Sequence, residues 1–166
     1  MPNWCINLAT FHATKEVIKH IREATLKDEL FNEFLPMPYE LEETKAHSGG
    51  PNWYDWRIAH WGVKWDVDSA EITDESETHI TVRFATAWAP ALKFYDYFLN
   101  SGQITSITAL YIEGGCCFAG VYDDCGNLEL CLSNYESYED YHNRYEEADY
   151  VSSFTWLDEA IEQFYA

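Results

Sequence analysis

Residues 53–65 hold four of the chain's seven tryptophans, Trp53, Trp56, Trp61 and Trp65. Indole is bulky and mostly apolar, and a solvated loop has no use for it at that density. Such a block either anchors a core or lines a binding surface. Trp53, Trp56 and His60 recur at i, i+3 and i+7, so one face of a helix carries them. Tyr54, Ile58 and Trp61 share another face. Pro51 suits the first turn of this helix, and Gly62 is its stop. With 166 residues, 47% of them hydrophobic, the chain is expected to form one domain with a real core around the block.

The pattern on either side of the block predicts the other elements. Residues 4–9 alternate as a strand. A helix capped by Thr14 follows, with Val17, Ile18, Ile21 and Ala24 on its apolar face. Residues 29–35 form a shorter helix capped by Asp28 and closed by Pro36. Residues 40–52, which include Gly49-Gly50, read as a mobile loop. Beyond the block, 65–72 and 78–84 pair as an antiparallel hairpin. Pro90 opens another helix bearing Leu92, Tyr95, Phe98 and Leu99. Residues 104–113 are β-rich, and 116–122 with 128–132 make a second hairpin. Tyr135, Tyr138, Tyr141 and Tyr145 stripe one side of a helical end. Thr155 and Asp158 suggest a capping box for the last helix.

The resulting order is β-α-β-β-α-β with additions. The expected class is α+β: a ferredoxin-like split β-α-β antiparallel sheet with helices on one face. A helical insertion occupies about 27–64, and an acidic helical C-terminal extension about 134–166.

Charge bounds the partners. Twenty-nine acids against ten Lys and Arg give a net −19. Phosphate backbones and anionic membrane surfaces are repelled by such a chain. From residue 121 onward, twelve acids stand against Arg144 alone, a net −11. The first 120 residues carry 17 acids and nine bases, the remaining −8. The chain opens on no signal peptide, and no apolar run is long enough to span a bilayer, so the expected compartment is the cytoplasm. Five cysteines, an odd number, are expected as free thiols there.

Several blocks together resemble one family. Met1-Pro2-Asn3-Trp4-Cys5 is similar to the opening of the YubB-type ferredoxin-like domain family of phages and plasmids. Leu35-Pro36-Met37-Pro38 matches its proline-flanked motif. His60-Trp61-Gly62-Val63-Lys64-Trp65-Asp66 resembles its Asn-Trp-Gly-Thr-Lys-Trp-Asp signature. Phe84-Ala85-Thr86-Ala87-Trp88-Ala89-Pro90 resembles its Phe-x-Thr-Ala-Trp-x-Pro signature. Glu113-Gly114-Gly115, with Phe118 and Gly120, resembles its glycine-rich hairpin. These blocks cover about residues 1–122 in matching order. The resemblance implies the fold and a mobile-element origin, and no agreed activity. His60 stands where the family has Asn and Val63 where it has Thr. A ligand served by those two polar positions would be bound differently here. The acidic tail lies outside the resemblance.

Catalytic and metal chemistry find little support in the spacing. There is no Cys-x-x-Cys and no His-x-x-x-His, so no metal site and no cofactor are expected. A Cys-His nucleophile would need Cys116 or Cys117 beside His60 or His79, and nothing in the sequence requires it. Gly114-Gly115 precedes a strand, unlike a phosphate loop.

Two readings of the tryptophans follow. In one, Trp4, Trp61, Trp65 and Trp88 fill the gap between the inserted helix and the sheet. In the other, Trp53, Trp56 and His60 form an exposed face near Arg57 and Lys64. The leading functional expectation is a non-enzymatic interaction protein of a mobile element. It would bind and inhibit a basic host protein that handles nucleic acid or defends the cell, as a nucleic-acid mimic. Glu136, Glu139, Asp140, Glu146, Glu147 and Asp149 would carry the charge, with Tyr138 and Tyr145 adding contact. The alternative is a ligand pocket or enzyme site between inserted helix and sheet, built from His60, Trp61, Lys64 and Trp88. A third is an assembly role through sheet-edge pairing.

Overall fold

The structure, a computed structural model, describes residues 3–47, 49–144 and 146–166; for 146–148 it describes the backbone alone. Among the described residues there are six strands: β1 (Trp4–Ala13), β2 (Asp68–Glu75), β3 (His79–Ala87), β4 (Ile104–Glu113), β5 (Phe118–Asp123) and β6 (Gly126–Cys131). They form one antiparallel sheet in the order β2-β3-β1-β4-β5-β6. β1 is central because its side chains are apolar on both faces. Ala9 and Phe11 point to the front; Ile6 and Leu8 point to the back.

Four helices cover the front: α1 (Lys15–Thr25), α2 (Leu30–Phe34), α3 (Trp53–His60) and α4 (Leu92–Asn100). α1, α2 and α4 turn apolar residues onto the sheet, while α3 buries no residue fully and packs beside α4 through its half-buried Trp53 and Trp56. Ile18, Ile21 and Ala24 of α1, Leu30, Phe31 and Phe34 of α2, and Phe94 and Phe98 of α4 are buried together against Phe11, Ile80, Val82 and Phe84. The aromatic rings interlock, Phe31 lying 4.6 Å from Phe94 and Phe34 4.6 Å from Phe98 between centroids.

Helices α5 (Tyr138–Arg144), α6 (Glu146–Ser152) and α7 (Thr155–Tyr165) cover the back. The helices therefore do not lie on one face as the sequence suggests. Leu110, Ala119, Val121 and Leu130 give the β4–β6 end a second apolar face, and Tyr141, Val151, Leu157 and Ile161 cover it. Among the described residues, helices cover only that end, with Leu8 of β1 packed at its margin; over the rest of β1, β3 and β2 none of them covers the back of the sheet.

A buried polar knot ties the front together. Tyr95 donates its hydroxyl to Asn7 Oδ1 at 2.9 Å. Asn7 Nδ2 in turn donates to Thr86 Oγ1 at 2.9 Å and to the Cys5 carbonyl at 3.0 Å. All these side chains are fully buried, so each needs the others. The three partners come from β1, β3 and α4, which fixes the register of the central strands.

Candidate functional site

The tryptophan block resolves into a clamp. Trp61 is wholly buried, and its indole Nε1 donates to the Leu35 carbonyl at 3.0 Å. Val63 and Val67 are buried beside it. Asp66 then reaches back across the chain. Its carboxylate accepts from the Phe31 and Asn32 N–H groups, each at 2.8 Å, and from its neighbour Val67 at 2.8 Å. It thereby satisfies the exposed donors at the start of α2. The sequence assigns that cap to Asp28. Asp28 instead has a left-handed backbone, φ 54°, and accepts from the Ala70 N–H. Burial pushes the Asp66 carboxyl up to about 6, against the opposing pull of its three N–H donors and Arg57.

The pocket expected from His60, Trp61, Lys64 and Trp88 does not assemble. Trp61 is core. His60 is exposed, stacked on Trp56 at 4.1 Å, with Nδ1 bonded to the Trp56 carbonyl. Lys64 holds its ammonium 4.1 Å from the centre of the Trp65 ring. Trp88 is 46% exposed on a left-handed backbone, and its N–H reaches the Asn3 carbonyl. A cleft of about 420 Å³ does exist nearby, between Ile58, Gly62, Pro90, Lys93, Phe118 and Glu129. None of the four expected residues lines it.

The core-filling expectation for the tryptophans also needs correction. Of Trp4, Trp61, Trp65 and Trp88, only Trp61 fills the gap. Trp4 is 37% and Trp65 38% exposed, their rings 6.1 Å apart at one end of the sheet. The other expected set divides as well: Trp53 and Trp56 are half-buried against the front core, leaving His60 outermost.

The acidic layer has a clear inside and outside. Tyr135 and Tyr141 are buried, and the Tyr141 hydroxyl meets Ser152 Oγ at 3.1 Å. Tyr138 is half-buried, its ring against His142 and its hydroxyl donating to Asp158 Oδ2 at 2.8 Å. Burial first, and that carboxylate second, push the phenol up to about 12. Tyr138 is therefore committed within the layer rather than offered to a partner. Asp158, whose Oδ1 lies 3.2 Å from His142 Nε2, does not cap α7, so the expected capping box is absent.

Asp140 is spoken for too. It pairs with Arg144 at 2.5 Å and accepts from the Glu136 N–H at 3.0 Å. Glu136, Glu139 and Asp149 are exposed, as are Glu159 and Glu162 of α7. Among the described residues, none of these five joins an ion pair. The side chains of Glu146 and Glu147, and Tyr145 altogether, lie outside the described residues. Five of the eight proposed contact residues are thus located: three free acids, one paired acid and one packed tyrosine.

All five cysteines are free. Cys5 is buried, and desolvation, aided by Glu113, pushes its thiol far up. Glu113, itself buried, accepts from the Gly115 and Cys116 N–H groups and so ties the β4–β5 turn. Among the described residues, no three His, Cys, Asp or Glu side chains gather as metal ligands, and no helix is long and apolar enough to cross a membrane.

The fold and its surfaces define an α+β protein with an antiparallel six-stranded sheet and helices on both faces. In comparison with known proteins, no family model, no curated protein and no solved structure matches the chain.

Proposed function

We propose that this protein is a non-catalytic, acidic interaction protein that binds a basic, nucleic-acid-handling partner and competes for its anion-binding surface. One observation carries the reading: Glu136, Glu139, Asp149, Glu159 and Glu162 stand exposed and join no ion pair among the described residues, in a segment whose single Arg already holds Asp140. Unpaired surface carboxylates at that density repel one another, which costs stability unless a cationic surface meets them. Steered association between opposite charges is fast and specific. The burial of Tyr135 and Tyr141 supports the same reading, since it fixes the helices that carry the acids.

The resemblance of residues 1–122 to the YubB-type domains supports a phage or plasmid origin, in which disabling a host enzyme needs no catalysis. The strand order β2-β3-β1-β4, with α1 and α4 as crossovers on the front, is compatible with a ferredoxin-like unit. We take β5, β6 and α5–α7 as an addition to that unit.

The test is capture from a bacterial host lysate. Wild-type protein should retain a basic, nucleic-acid-handling protein at low salt and release it at high salt. A Glu136→Gln, Glu139→Gln, Asp149→Gln triple variant should capture far less. Equal capture by wild type and variant, or capture indifferent to salt, would sink the reading.

A further inference from the structure

The back of the sheet is half covered, and the uncovered half has the form of a trough. Its floor is the outward face of β1 and β3: Ile6, Leu8 and Thr10 opposite Ala85, Arg83 and Thr81. All six are half-buried, with Trp4 and Trp65 at one end. One wall is α7, which turns Trp156, Glu159, Ala160 and Gln163 toward it at i, i+3, i+4 and i+7. The other margin is the edge strand β2. Asp68, Glu71 and Asp74 register with Ala85, Arg83 and Thr81, so all three lie on this face, and all three are exposed. Two shallow cavities, of about 240 and 280 Å³, flank Ile6 and Arg83, which line both.

Dimensions and charge together select the occupant. Neighbouring strands lie about 4.8 Å apart, so the strip from β1 to β2 is about 10–14 Å wide. A helix with its side chains is about 10–12 Å across. The ten residues of β1 give the strip a length of about 33 Å. The floor is half apolar, through Ile6, Leu8 and Ala85; Thr10 and Thr81 bond each other at 2.9 Å, and Arg83 already meets Glu71 at 3.4 Å. Both margins carry carboxylates: Asp68, Glu71 and Asp74 on one side, with Asp74 already meeting His79 at 2.7 Å, and Glu159 on the other. A second copy, also at −19, would bring like charge to that rim.

We propose that the open back of β1, β3 and β2 is the seat of one amphipathic helix of the partner, its apolar stripe on Ile6, Leu8 and Ala85 and its Lys or Arg flanks against Asp68, Asp74 and Glu159. This rests on the basic-partner reading above and gives that partner a secondary structure and a docking position. Apolar residues at helical spacing fill the floor, and the cations on either side answer the two acidic margins. The tail acids then contact the partner beyond the helix.

The probe is a labelled Leu/Lys peptide of about 18 residues, about 27 Å as a helix, with leucines at helical spacing. A scrambled peptide of the same composition is its control. Fluorescence anisotropy should show the amphipathic peptide binding about tenfold tighter than the scrambled one. Ala85→Arg should weaken it about tenfold, and an Asp68→Asn, Asp74→Asn pair about threefold, with native melting curves. The tail triple variant should stay within about twofold of wild type.

Equal binding of the two peptides, or an Ala85→Arg variant that binds as wild type does, overturns the proposal. So does self-association through this face by sedimentation, abolished by Ala85→Arg. If Ala85→Arg does not fold, the Asp68→Asn, Asp74→Asn pair decides alone: no weakening overturns the proposal. Peptide binding lost only in the tail variant would remove this seat and leave the acidic reading standing. Lysate capture indifferent to the tail would do the reverse.

Discussion

Asp66 is the residue on which the front half of the molecule turns. It lies 35 positions beyond Phe31, yet it caps α2, and no local pattern announces that. Burial raises its carboxyl to about 6, so its proton is taken up in the folded state at a pH where the unfolded chain, near 3.9, is still ionised. The sign follows: this group favours folding below about pH 4 and loses that contribution as pH rises through 6. A carboxyl NMR titration should give Asp66 a midpoint near 6, well above the exposed acids. A midpoint at or below 4 would mean that its three N–H donors outweigh burial. Trp61 makes a second prediction. Replacing it with Ala should cost about 3–5 kcal/mol in chemical denaturation, the range for a buried indole. Trp61→Phe should cost less and still leave the Leu35 carbonyl without its donor. At this scale the sequence marks the right residue for an incomplete reason. The tryptophan density identifies Trp61 as core, but it does not separate Trp61 from Trp4, Trp65 and Trp88, because exposure depends on where the sheet ends.

At the scale of elements, the chain's own pattern goes far. The helices bearing Ile18 and Ile21, and Phe94 and Phe98, and the hairpins stand close to where periodicity puts them, whereas the tyrosine-bearing helix begins only at Tyr138, with Tyr135 in extended backbone before it and Tyr145 outside the described residues. Boundaries move where a turn is fixed by distant contacts: β2 runs over Asp68–Glu75 rather than 65–72, since Asp66 is taken up by α2. What periodicity could not give is the face that α5–α7 cover. Both faces of β1 are apolar, so Ile6 and Leu8 fit either a covered or an open surface, and the choice is made by β4 and β5. The packing of that layer is testable. Tyr141→Ala should lose about 3–5 kcal/mol, while Tyr138→Phe, which removes one hydroxyl bonded to Asp158, should lose about 1 kcal/mol. Gly120→Ala should cost about 1–3 kcal/mol, because a Cβ there collides with the Tyr111 hydroxyl and the Leu128 carbonyl. Denaturant melts of the three variants check this ordering.

The whole molecule carries −19 on 166 residues. That charge was plain from composition, but its arrangement was not. Asp140, which the sequence presents as a surface acid, is absorbed by Arg144, and Asp158, expected in a capping box, by Tyr138 and His142. Among the described residues, the unpaired carboxylates lie instead mainly on the outer side of α5–α7; on β2, Glu71, Asp74 and Glu75 meet Arg83, His79 and Arg22, and Asp68 alone has no ion pair. Self-repulsion of this kind is screened by salt, so the melting temperature should rise by about 2–5 °C between 20 mM and 300 mM NaCl. An unchanged or falling value would mean that the carboxylates are compensated. The most direct test of anion mimicry is competition on the captured basic partner between this protein and duplex DNA. The partner should hold one or the other, with affinity for this protein falling steeply as salt rises. A stable complex of all three, with affinity indifferent to salt, would contradict it.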